Sequence, residues 1–198
     1  MNLRSTMLTA AVLSTLIATT APAAISAPEP AAATAESRAR LAPLVDLAAE
    51  RLLLADEVAA AKYGTGTPIE DPRREQQVLD TVADLSTSSG LDPAVGIRFF
   101  QDQIEAGKDV QRGLHERWNA HPELRPAHRP DLGQEVRPRL DRISVEAVRE
   151  LRATEPVRSP TTRCQMDLAA SVLGTVAEHR LDALHGEALG DALSNVCR

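Results

Sequence analysis

Residues 41–63 read LAPLVDLAAERLLLADEVAAAKY, and the way this stretch winds decides the fold. At about 100° per residue in an α-helix, Leu44, Leu47, Ala48, Ala55 and Val58 fall on one side, while Asp46, Glu50, Asp56 and Glu57 project the other way. Arg51 and Lys62 lie on the apolar side. Eleven residues separate them, a step that returns to within about 20° of its starting direction, so the two cations share one line along the helix. Solubilising charges belong with the acids, whereas cations on a core-facing stripe need a partner because an unpaired buried charge is very costly. Two readings stay open here: a buried anion site, or cations that snorkel or pair with acids of neighbouring helices.

Working outward, the same periodicity begins near Glu36 and is broken after Tyr63 by Gly64-Thr65-Gly66-Thr67-Pro68. Asp71-Pro72 is an N-cap acid followed by proline at the first helical position, and it predicts a second helix to about Ser89, stopped by Gly90. Asp92-Pro93 repeats the signal for a third helix reaching Trp118, with Ile97, Phe100, Ile104 and Gln111 near one stripe. A proline- and histidine-rich loop covers 119–130. A fourth helix spans about Leu132 to Ala153, with Pro138 near its start or kinking it. After 154–160, helices over about Thr161–His179 and Leu181–Val196 form a C-terminal hairpin. With only four aromatics after residue 24 and abundant Leu, Ala and Val, the expectation is all-α, about six helices in one helical-bundle domain.

The chain starts as an exported protein does. Arg4 supplies a positive n-region, Met7 to Ala18 is mostly apolar, and Ala21-Pro22-Ala23 fits a small-x-small cleavage site. The expected organisation is a signal peptide over 1–23, a flexible lead-in over 24–35 and the helical domain over 36–198. The early apolar run is too short for a stable membrane span, so no membrane association is expected once it is removed. The whole chain has 22 Lys and Arg against 28 Asp and Glu, a net of −6, and loss of Arg4 with the signal makes it −7. Nucleic acid is therefore not an expected partner. In an oxidising compartment the two cysteines, Cys164 and Cys197, are most simply a disulfide. No CxxC and no histidine ligand spacing points to a metal site.

The inward stripes carry Arg51 and Lys62 on the first helix, Arg74 and Glu75 on the second, Gln111 on the third and Arg137 on the fourth. Lysine is scarce, with only Lys62 and Lys108 against twenty arginines, which makes Lys62 a plausible point-charge donor. Several cations with one acid and one amide suit a small dianion bearing a hydroxyl and an ether-like oxygen. They do not suit hydrolysis, since neither a Ser/His/Asp triad nor a paired-carboxylate pattern stands out. Lys108, Arg73, Arg112 and Arg117 read as solvated or structural charges, and Trp118 as a core anchor.

Arg51 with Lys62, then 68–77 (PIEDPRREQQ), then Phe99-Phe100-Gln101-Asp102-Gln103-Ile104 leading to Gln111, resemble the AroQ-type chorismate mutases. The signal peptide, the Trp118 region, Pro130-Asp131-Leu132, Arg137-Pro138-Arg139-Leu140-Asp141 and the Cys164/Cys197 pair make the chain most similar to their secreted subclass. The resemblance covers about Leu41 to Cys197. It implies conversion of chorismate to prephenate by an intramolecular Claisen rearrangement without cofactor, in a homodimer whose pockets each lie within one chain. It further implies that Arg51 and Arg137 bind the two substrate carboxylates, Lys62 and Gln111 reach the ether oxygen, Glu75 accepts the ring hydroxyl, and Asp71 and Arg74 order the loop–helix junction. Arg139 or Arg142 could replace Arg137 in that scheme. Gly107 stands where relatives often have Ser, Thr or Asn, so one contact to a carboxylate is missing or supplied by water. The competing expectation is a non-catalytic secreted helical module that binds small carboxylates.

Overall fold

A computed structural model describes residues 30–198, with side chains described from residue 36 onward. The expected signal peptide (1–23) and residues 24–29 of the expected lead-in lie outside the described residues. Among the described residues six α-helices follow one another: α1 (Pro30–Lys62), α2 (Pro72–Ser89), α3 (Pro93–Ala120), α4 (Arg137–Ala153), α5 (Thr162–Glu178) and α6 (Ala183–Ala192). The described residues contain no strand.

Helix α1 is the axis of the bundle and packs against α3, α4, α5 and α6. Its apolar residues run almost all the way round: Leu41, Leu44, Val45, Ala48, Ala49, Leu52 and Ala59 are buried, as a helix enclosed on every side requires. The stripe bearing Arg51 and Lys62 is thus one sector of a central helix, not the whole inner face of a surface one. Phe100, Val110 and Leu114 of α3, Ile143, Val148 and Leu151 of α4, and Leu189 of α6 complete the core.

The helix starts are set by local chemistry. Asp71 accepts from the Arg74 N–H and Asp92 from the Ala94 N–H, each followed by proline at the first helical position, where a missing N–H costs no bond. Gly90 closes α2 at φ 73°, a left-handed conformation that glycine adopts without a Cβ penalty. Thr161 and Asp182 cap α5 and α6.

Three boundaries differ from the expectation. Helix α1 begins at Pro30, so the last six residues of the expected flexible lead-in are helical; proline opening an alanine-rich run favours this. Helix α6 stops at Ala192, and turns carry the chain to Cys197. Before α4, residues Leu132–Val136 form a single wide π-turn. Pro138 has no N–H for the usual bond four residues back, so the widened turn passes into α-helix only at Arg137. Cys164 and Cys197 form a disulfide, joining the first turn of α5 to the end of the chain. In the chain-entropy treatment a loop of this size contributes about 3–4 kcal/mol.

Candidate active site

Helices α1 to α4 and the segment Thr67–Asp71 enclose a cavity of about 200 Å³. All seven residues expected to bind or act on substrate line it: Arg51, Lys62, Asp71, Arg74, Glu75, Gln111 and Arg137.

Arg51 lies at mid-length in α1, its guanidinium 5.4 Å from the ring centroid of the buried Phe100 of α3, a cation–π contact that fixes it between the two helices. Burial, then the neighbouring Arg74, push its pKa down to about 10, with Asp141 opposing, so it remains charged at neutral pH. Among the described residues it has no hydrogen-bond partner of its own. Lys62 ends α1, where a cation suits the helix dipole, and its Nζ donates to the Ile69 carbonyl at 2.6 Å. Burial lowers its pKa, while Asp71, Glu70 and Glu75 push it back up and Arg137 adds to the lowering.

The rim on the α2 side is organised by reciprocal capping. The Asp71 carboxylate accepts from the Arg74 N–H, and Glu75 Oε1 accepts from the Asp71 N–H, both at 3.1 Å. Arg74 reaches Asp141 of α4 at 3.1 Å and so ties the two walls together. On α3, the Gln111 amide donates to the Gly107 carbonyl at 3.0 Å, and its Oε1 is buried with no partner.

Arg137, the first residue of α4, lines the cavity and has no ion pair among the described residues. The two candidates for its place are engaged elsewhere: Arg139 bonds Glu57 at 2.6 Å, and Arg142 bonds Glu50 and Glu146. Neither lines the cavity. The π-turn leads directly into Arg137, and its own Leu132 and Val136 line the cavity with it.

One expectation is narrowed here. Lys108, read as a solvated or structural charge, is not solvated: it is only 9% exposed and lines the cavity, with Nζ 3.3 Å from Glu75 Oε2 and 2.6 Å from Glu105 Oε1. Its spacing from Ile104 and Gln111, four residues on and three back, could have shown this. Gln103, Asp141 and Ser144 also line the cavity without having been anticipated. No Cβ neighbour lies within 4 Å at Gly107, so the space that a side chain would fill there is open.

The lining includes five cations, Arg51, Lys62, Arg74, Lys108 and Arg137, against three acids, Asp71, Glu75 and Asp141. That is a net of +2 inside a chain of net −6. With two arginines free of ion pairs among the described residues, and apolar side chains such as Val58, Ile104 and Leu140 between the charges, the site defines a helical receptor for a small, doubly negative molecule.

Comparison with known proteins agrees. The family model for chorismate mutase type II matches residues 42–112, the part of the chain that supplies every expected site residue except Arg137. A secreted chorismate mutase of Mycolicibacterium smegmatis is 35% identical over 92% of this chain and all of the relative, and one of Mycobacterium tuberculosis is 33% identical over 85% and 84%. The crystal structure of a chorismate mutase from Burkholderia thailandensis superposes with a TM-score of 0.76 at 39% identity, covering 80% of this chain and 99% of the other. The chain belongs to the chorismate mutase family, in its secreted, all-helical branch.

Proposed function

We propose that the protein is an exported chorismate mutase that converts chorismate to prephenate by a cofactor-free Claisen rearrangement. The observation that carries this reading is the +2 cavity lined by two guanidiniums, Arg51 and Arg137, that have no ion pair among the described residues, together with a buried ammonium, Lys62. A unimolecular rearrangement leaves a protein two levers: holding a flexible substrate in its compact reactive conformer, and presenting preorganised donors to the charge that develops on the breaking C–O bond.

Arg51 and Arg137 supply the first by clamping the two carboxylates from α1 and α4, with Arg74 beside Arg51 held in place by Asp141. Lys62 supplies the second at the ether oxygen. Substrate carboxylates beside it reinforce the effect of Asp71, Glu70 and Glu75 and keep its ammonium protonated against burial. Gln111 joins it once its amide turns from the Gly107 carbonyl to the ether oxygen, a rotation that the open space at residue 107 permits. Glu75 accepts the ring hydroxyl, and Asp71 holds the start of α2 so that Glu75 and Arg74 face inward.

The protein works as a homodimer after removal of residues 1–23 at export. Each cavity is complete within one chain, so catalysis does not require the partner. Loss of the chorismate absorbance band on addition of purified protein is the test. A non-catalytic carboxylate-binding module would raise the melting temperature with ligand but leave that absorbance unchanged.

A further inference from the structure

Lys108 is the one cavity cation that the rearrangement as described does not use. Its stem comes from the α3 face that carries Ile104 and Gln111, and its ammonium sits between two carboxylates, Glu75 on the cavity side and Glu105 on the solvent side. Glu75 is correspondingly held at both oxygens: the Asp71 N–H binds Oε1 and the Lys108 ammonium binds Oε2. A glutamate with three rotatable bonds at the mouth of a cavity gains water by turning outward, and this pair of donors opposes that turn.

We propose that Lys108 is a positioning residue for the reaction, clamping the Glu75 carboxylate so that its remaining lone pairs face the substrate's ring hydroxyl. The assignment rests on the chorismate mutase reading and on Glu75 as the hydroxyl acceptor. Direct capture of a substrate carboxylate is the less suitable task for Lys108, because its charge is already shared by two acids whereas Arg51 and Arg137 are unpaired. Burial disfavours the charged form of Lys108, but hydrogen bonds and charge from Glu105 and Glu75 outweigh it and raise its pKa, so the clamp holds at neutral pH. Lys108 also offsets the charge of Glu75, which would otherwise repel an incoming dianion.

The test is a double-mutant cycle in the purified exported protein, without residues 1–23, read as kcat and KM for chorismate. Lys108→Met is expected to lower kcat/KM by about 10- to 100-fold, the size of a lost charge-assisted hydrogen bond at an active site. Lys108→Arg restores most of it, which a purely packing role would not allow. In a Glu75→Gln background the same Lys108→Met change costs less than about 3-fold, because the group that it acts through is gone. Should Lys108→Met unfold the protein, Lys108→Gln takes its place in the cycle. Unchanged kcat/KM in Lys108→Met, or an equal loss with and without the Glu75 carboxylate, overturns the assignment while wild-type turnover leaves the enzyme reading standing. A wild-type protein with no turnover overturns both.

Discussion

Replacing Lys62 by alanine removes the ammonium that meets the charge developing on the ether oxygen, and leaves the Ile69 carbonyl without its donor. Loss of one preorganised donor of this kind costs about 10²–10³-fold in kcat, and the additional charge that Lys62 carries puts the expectation at the upper end. Helix α1 keeps its buried apolar residues, so the melting temperature should fall by only a few degrees; unaltered kcat in a folded Lys62→Ala protein would remove Lys62 from the mechanism. Lys62 was legible in the sequence because it and Arg51 interrupt an apolar line, where a charge has no cheap explanation. Lys108 was not, because it is flanked by Glu105, Asp109 and Arg112 and reads as one member of a solvated charge run. Only the packing of α2 against α3 brings Glu75 within reach of it. The pattern of residues 137–141 already favours Arg137 over Arg139 and Arg142, and the structure adds that Glu57, Glu50 and Glu146 hold the other two.

Among the elements, α2 and α3 set the separation between Glu75 and Gln111, and Gly96 is a point where α3 approaches α2 tightly. A Cβ built there would lie 2.3 Å from Ser86 Oγ and 3.1 Å from Val82 Cγ1, both on α2. Gly96→Ala therefore wedges the two helices apart at a point where Ser86 is fully buried, and overpacking of this sort costs about 1–3 kcal/mol. Urea denaturation should show that loss as a lower midpoint at unchanged slope, and a midpoint equal to wild type would mean that the hydroxyl simply swings aside. The starts of these helices were readable from Asp71-Pro72 and Asp92-Pro93 because capping is decided within four residues. The π-turn at Leu132–Val136 and the early start of α1 were not. The first depends on how the chain accommodates Pro138 while α4 docks on α1, and the second on alanine-rich residues that hydrophobic periodicity cannot distinguish from a linker.

At the scale of the molecule, six helices and their order followed from local signals, but which helix lies at the centre did not, since α1 shows its burial only once four neighbours surround it. One polar cluster joins three of those helices away from the cavity. His185 of α6 is 6% exposed, with Nδ1 2.6 Å from Asp182 and Nε2 2.8 Å from Asp56 of α1, and Asp182 in turn binds Arg117 of α3 at 3.0 Å. Two carboxylates at the two ring nitrogens call for an imidazolium, and the Asp56 hydrogen bond, opposed by burial and aided by Asp182, raises the His185 pKa to about 9. A group whose pKa is raised on folding contributes fully below its unfolded value near 6.5 and loses that contribution as pH climbs through about 9. The shift corresponds to about 2–3 kcal/mol once screening at the half-exposed acids is allowed for. Asp182 runs the other way: burial raises its pKa, but the bonds from His185 and Arg117 outweigh that and hold it near 2, so its share is present above about 3.8 and lost only toward pH 2. Thermal melts should accordingly show a stability plateau that declines between about pH 6.5 and 9.5, and His185→Gln should flatten that decline while lowering the plateau. A wild-type melting temperature that stays level across this window would mean that His185 is neutral in the folded protein and that α6 is held to α1 by packing alone.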